Sequence, residues 1–119
     1  MPALSNPPIE AVAPRAIATS TAAAAGADLA GATALSPGIV LVTASNGSKG
    51  VRIPLNSKGK RFVILNSVSG QNLLVYPPSA SGTLNFGSGG DALTVAGRKS
   101  CEIVMYSDLA GYSNPLLPS

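Results

Sequence analysis

The residues able to do chemistry are few. Glu10, Asp28, Asp91, Glu102 and Asp108 are the five acidic side chains of a 119-residue sequence that contains no histidine. Histidine is the commonest general acid or base, and no two of the five carboxylates share a metal-ligand spacing. The single Cys101 excludes an intramolecular disulfide framework and, without histidine, a Cys/His zinc site. Its neighbours Ile103 and Met105 suggest a buried thiol in a strand. Gly87-Ser88-Gly89-Gly90 has the glycine content of a phosphate cradle, but such a loop needs a helix amino terminus after it and, in the P-loop form, Lys followed by Ser or Thr. Asp91 and a strand pattern follow instead, so a β-turn is expected. Serine–lysine catalysis needs no histidine, yet nothing singles out a pair. No catalytic, cofactor-binding or metal-binding residue is assigned, no cofactor is expected, and the chain is read as not an enzyme.

Recognition is the remaining class. Lys49, Arg52, Lys58, Lys60 and Arg61 bunch together, with no acid between Asp28 and Asp91, in a chain of net charge +3. Nucleic-acid modules interleave such cations with stacking aromatics, and only Phe62 is near, so solvated loop ends are expected and nucleic acid is not. A sugar-binding face would need exposed aromatics. Tyr76, Tyr106 and Tyr112 are the candidates, but Tyr76 and Tyr106 sit in apolar runs that suggest core.

The elements that must position these residues read as β. Ile39–Ala44 is a continuous apolar run, the pattern of a strand buried on both faces. Asn46-Gly47 follows as a hairpin turn signal. Val51, Ile53 and Leu55 alternate with Arg52 and Pro54, then Ser57–Lys60 turns the chain into Arg61–Asn66. Asn72–Tyr76, Thr83–Phe86, Leu93–Val95 and Cys101–Tyr106 complete about seven strands at spacings of roughly 8–12 residues, which argues for an antiparallel β-sandwich or jelly-roll. No internal repeat is evident. Ile39, Leu41, Val63, Leu65, Leu74, Leu93, Val95 and Ile103 are the expected core.

Residues 1–26 differ in character. Pro2, Pro7, Pro8 and Pro14 precede a run of Ala, Ser and Thr, which reads as an extended amino-terminal arm with at most a turn or two of helix over residues 21–27. The domain proper is expected over 27–119. An arm with so little to bury is expected to be ordered by another subunit. MPALSNPPIE lacks the basic start and apolar run of a signal peptide, and the charge-free stretch Leu29–Ser48 is too broken by Gly, Pro, Ser and Asn for a membrane helix. A soluble protein made in a reducing compartment is expected, with no membrane partner. Charged residues are only 11% of the chain, against a typical ~25%, which favours a surface covered by partners. Runs such as Ile39–Val42 and Phe62–Leu65 offer apolar side chains to both faces of a sheet, so a homo-oligomer is expected.

Residues 51–106 also resemble a module of small virion proteins of tailed bacteriophages. The resemblance lies in Arg52-Ile53-Pro54, in the strand end from Val63 to Ser67, and in Leu73 to Pro77 followed by Gly82 and Asn85. It covers about half of the chain, excludes the arm, and supplies no functional residues. It implies a non-enzymatic structural protein, a capsid decoration or cement protein that stabilises the phage head. Such a protein would be made in the host cytoplasm, reside on the capsid surface and be a homotrimer. The arm would reach the major capsid protein or another virion subunit. The alternatives are a tail, neck or fibre component, or a host-glycan-binding adhesin.

Overall fold

A computed structural model describes residues 17–115 and residue 117. Among these the structure is all β, with ten strands and no helix. They are β1 (Thr19–Ala23), β2 (Thr33–Ala34), β3 (Gly38–Ala44), β4 (Gly50–Arg52), β5 (Arg61–Asn66), β6 (Leu73–Tyr76), β7 (Thr83–Leu84), β8 (Leu93–Val95), β9 (Ser100–Met105) and β10 (Ala110–Asn114). A large sheet has the order β1-β3-β5-β9-β10-β7, and a small one β2-β4-β6-β8.

The expected antiparallel sandwich or jelly-roll is not what forms. Chain direction repeats: β1, β3 and β5 pair in parallel in the large sheet, and β2, β4 and β6 do the same in the small one. The chain therefore winds three times between the sheets, as a β-solenoid with coils of about twenty residues. Antiparallel strands β8 and β9 then close one end, and β10 and β7 extend the large sheet beyond them. The repeat is invisible in residue identities because each coil conserves only direction and inward apolarity.

Asn46-Gly47 shows why hairpins were over-read. It joins strands of different sheets, so it is a solenoid corner. Asn46 Oδ1 accepts from the backbone N–H groups of Ser48 and Lys49, both at 3.1 Å, which turns the chain without any strand pairing across it.

The core lies between the sheets. Val40, Val42, Phe62, Ile64, Cys101, Ile103 and Met105 point in from the large sheet, and Val51, Ile53, Leu73, Val75, Leu93 and Val95 from the small one. Of the expected core, Leu93, Val95 and Ile103 are buried. Ile39, Val63, Leu65 and Leu74 are only half-buried and Leu41 is exposed, so the registers read for β3, β5 and β6 are inverted. An all-apolar run satisfies either phase of a two-residue alternation, and the alternation alone cannot choose.

Residues 19–23, assigned to the arm from sequence, are an edge strand of the large sheet, and no helix forms over 21–27. Gly38 makes the docking of this strand possible. Its φ is +107°, and a Cβ there would lie 2.3 Å from the Ala18 carbonyl oxygen. Residues 1–16 of the expected arm, and with them Glu10, lie outside the described residues.

Candidate functional site

The outer face of the large sheet can be built row by row from the strand registers. One row runs Thr21–Leu41–Leu65–Ser100, the next Thr19–Ile39–Val63–Glu102–Asn114, and the third Arg61–Val104–Tyr112. Arg61 and Glu102 are the only charged side chains in the three rows. They pair, with Nε to Oε2 at 3.3 Å. At the β3–β5 side an aliphatic patch of Ile39, Leu41, Val63 and Leu65 faces outward beside the threonines of β1.

Past the ion pair, at the β9–β10 side, lies an aromatic corner. Phe86 and Tyr112 meet edge to face with ring centroids 4.8 Å apart, and Tyr106 and Tyr112 lie 5.2 Å apart at a tilt of 40°. All three rings are open to solvent, Phe86 most of all at 74%. Sequence reasoning put Tyr106 in the core; β9 ends at Met105, and the chain turns there, leaving the ring outside. Tyr76, by contrast, is buried as its apolar run suggested.

Phe86 is held out by its backbone. Asn85 and Phe86 both have positive φ, 53° and 59°, and the Gly87 N–H donates to the Leu84 carbonyl at 3.0 Å. That is the pattern of a type I′ turn, whose second central position ordinarily takes glycine. The left-handed conformation costs a residue with a Cβ about 1–2 kcal/mol. The Asn85 side chain ties the turn to β10: its Oδ1 accepts from Ser113 N–H at 2.7 Å, and its Nδ2 donates to Ser113 Oγ at 2.8 Å.

The basic cluster comes close to this corner in space. The loop bearing Lys58 and Lys60 is stitched to the end of β9: Gly59 N–H donates to the Met105 carbonyl at 2.7 Å, and Lys58 N–H to Asp108 Oδ1 at 3.3 Å. Lys49 and Arg52 belong elsewhere, to the coil that leads into and forms β4. The one aromatic near the cations in sequence, Phe62, is buried, and the Tyr106 and Tyr112 rings come from more than forty positions downstream.

The remaining chemistry-bearing residues stay apart. Asp28 Oδ1 accepts from Gly31 N–H at 2.9 Å in a loop, and among the described residues no three metal-ligating side chains converge. The glycine run turns as expected, with Asp91 N–H donating to the Ser88 carbonyl at 3.1 Å. Cys101 is buried, and desolvation lifts its thiol pKa from an ordinary 9.0 to about 11. Two hollows, of about 550 and 410 Å³, flank Arg98 and Lys99 and include none of the three exposed rings. Comparison with protein families, with curated proteins and with solved structures finds no match.

Proposed function

We propose that the chain is a non-enzymatic virion structural protein, a capsid decoration or cement subunit that associates through the outer face of its large sheet. One observation carries the reading: three adjacent rows whose only charges neutralise each other, leaving Ile39, Leu41, Val63 and Leu65 facing outward. Monomers seldom leave such a surface uncovered. The low charge content and the resemblance over residues 51–106 support the same assignment. A homotrimer built on this face buries on the order of 2,000 Å² or more, as obligate contacts do.

Two measurements test it. Native mass measurement at micromolar concentration is expected to give a trimer, and Leu41→Asp a monomer that still unfolds cooperatively. A clean wild-type monomer overturns the homotrimer. Antibody against the chain is expected to label the heads of purified particles; label confined to tails moves the assignment to a tail, neck or fibre part, and none on either removes it.

A further inference from the structure

We infer that Phe86, Tyr106 and Tyr112 form a preorganised stacking platform for a carbohydrate, with a preference for carboxylated sugars. The corner adjoins the aliphatic patch used for assembly, since Tyr112 shares the third row with Arg61 and Val104, but it does not use Ile39, Leu41, Val63 or Leu65.

The fold spends stability to build this corner. Phenylalanine occupies a left-handed turn position that glycine would fill without strain, and the residue is 74% exposed, so little burial offsets that strain. The ring is nonetheless braced on one side. It abuts Tyr112 edge to face, and the turn beneath it is pinned by the hydrogen bonds from Asn85 to β10. Rigid rings lose little entropy when something stacks on them. The polarised C–H face of a pyranose is complementary to the negative face of an aromatic ring. Tyr106 and Tyr112 lean against one another at 5.2 Å and 40°, and Phe86 meets Tyr112 at 86°, so the three rings form one solvent-facing cluster. The two phenolic hydroxyls can exchange hydrogen bonds with sugar hydroxyls at the rim.

Charge selects among polymers. Lys58, Lys60 and Arg61 lie beside the corner, but Asp108 and Glu102 lie there too. The small positive surplus suits a polymer with a carboxylate on some of its rings. A nucleic acid, with a phosphate at every residue, would call for a continuous basic track.

The test is titration of the full-length protein with polygalacturonate, followed by tyrosine fluorescence and calorimetry, alongside neutral dextran and a 16-nucleotide oligothymidylate. Polygalacturonate is expected to bind, and dextran at least several-fold more weakly. Phe86→Gly is the decisive variant, because it relieves the turn. It is expected to melt at or above the wild-type temperature while losing roughly tenfold or more in affinity. Tyr112→Ala is expected to lose as much, and Lys58→Gln with Lys60→Gln to erase the preference over dextran. Undiminished binding by Phe86→Gly overturns the platform, as does failure of polygalacturonate to bind. Equal binding of dextran overturns the charge preference, and tighter binding of oligothymidylate replaces the sugar by a nucleic acid. A change of native mass in Phe86→Gly overturns the proposal by placing the corner in a subunit contact. A wild-type monomer that still binds polygalacturonate overturns only the assembly reading.

Discussion

Two buried residues show how single side chains hold this fold. Asn66 ends β5 and is 1% exposed, yet its amide is fully used. Its Nδ2 donates to the carbonyls of Gln71 at 2.8 Å and Val95 at 3.0 Å, and its Oδ1 accepts from Ser45 Oγ at 3.1 Å. It thus joins a corner of one coil to β8 of the opposite sheet. Asn66→Leu keeps the volume but strands buried carbonyls, and we expect a loss of about 2–3 kcal/mol by urea unfolding. Cys101 acts through pH. Burial disfavours its thiolate, so the folded pKa of about 11 exceeds the ordinary 9.0 of an exposed thiol. Its contribution is intact below pH 9.0 and falls as pH rises toward about 11, because the unfolded chain ionises first. We expect Cys101→Ala to flatten that part of the stability profile, and Ellman's reagent to react with the native wild type only at the rate of unfolding. Rapid reaction of the folded protein would remove the burial argument.

At the scale of elements, phase is set by the residues least able to enter the core. Arg61 must face water, and alternation then sends Val63 and Leu65 outward with it and Phe62 and Ile64 inward. Glu102 fixes β9 in the same way and sends Ile103 inward, where it was expected. β3 has no charged residue to break the tie, so its phase was not legible. The positions and types of most strands were legible, because apolar β-branched runs and turn residues act locally. Their pairing was not, since parallel coils pair residues some twenty positions apart through no local signal. The aromatic corner was hidden for the same reason: Phe86 follows β7, Tyr106 follows β9 and Tyr112 lies in β10, and they meet only when β10 is laid between β9 and β7. The corrected phase predicts a sharp contrast. Phe62→Ala should cost about 3–5 kcal/mol, as buried aromatic truncations do, and Leu41→Ala under about 1 kcal/mol in the monomer. Equal costs in chemical denaturation would restore the rejected register.

For the whole molecule, the consequence of solenoid winding is an asymmetry between its ends. Among the described residues one end is closed by antiparallel β8 and β9, while at the other the outermost strands are β1 and β2. Among the described residues β1 pairs only with β3 in its sheet, and of its residues only Ala22 packs against the core. Such a strand belongs to the least stable part of a structure, so its amides should exchange before those of β5 and β9. It still has a task. Behind it lies β3, seven residues without a charge, which β1 keeps from being an open edge. A domain confined to 27–119, as expected from sequence, would survive deletion of the Pro/Ala-rich segment. With Thr19–Ala23 inside the sheet, that deletion instead uncovers β3. A chain lacking residues 1–23 should therefore scatter light through edge-to-edge association at concentrations where the full chain stays clear. Removing residues 1–16 alone should not do this, because β1 is kept. Leu41→Lys in the longer deletion should restore clarity, since a charge on the uncovered edge strand opposes pairing with another chain. If the longer deletion stays monodisperse, β1 does not guard the edge, and the open end of the solenoid needs no protection.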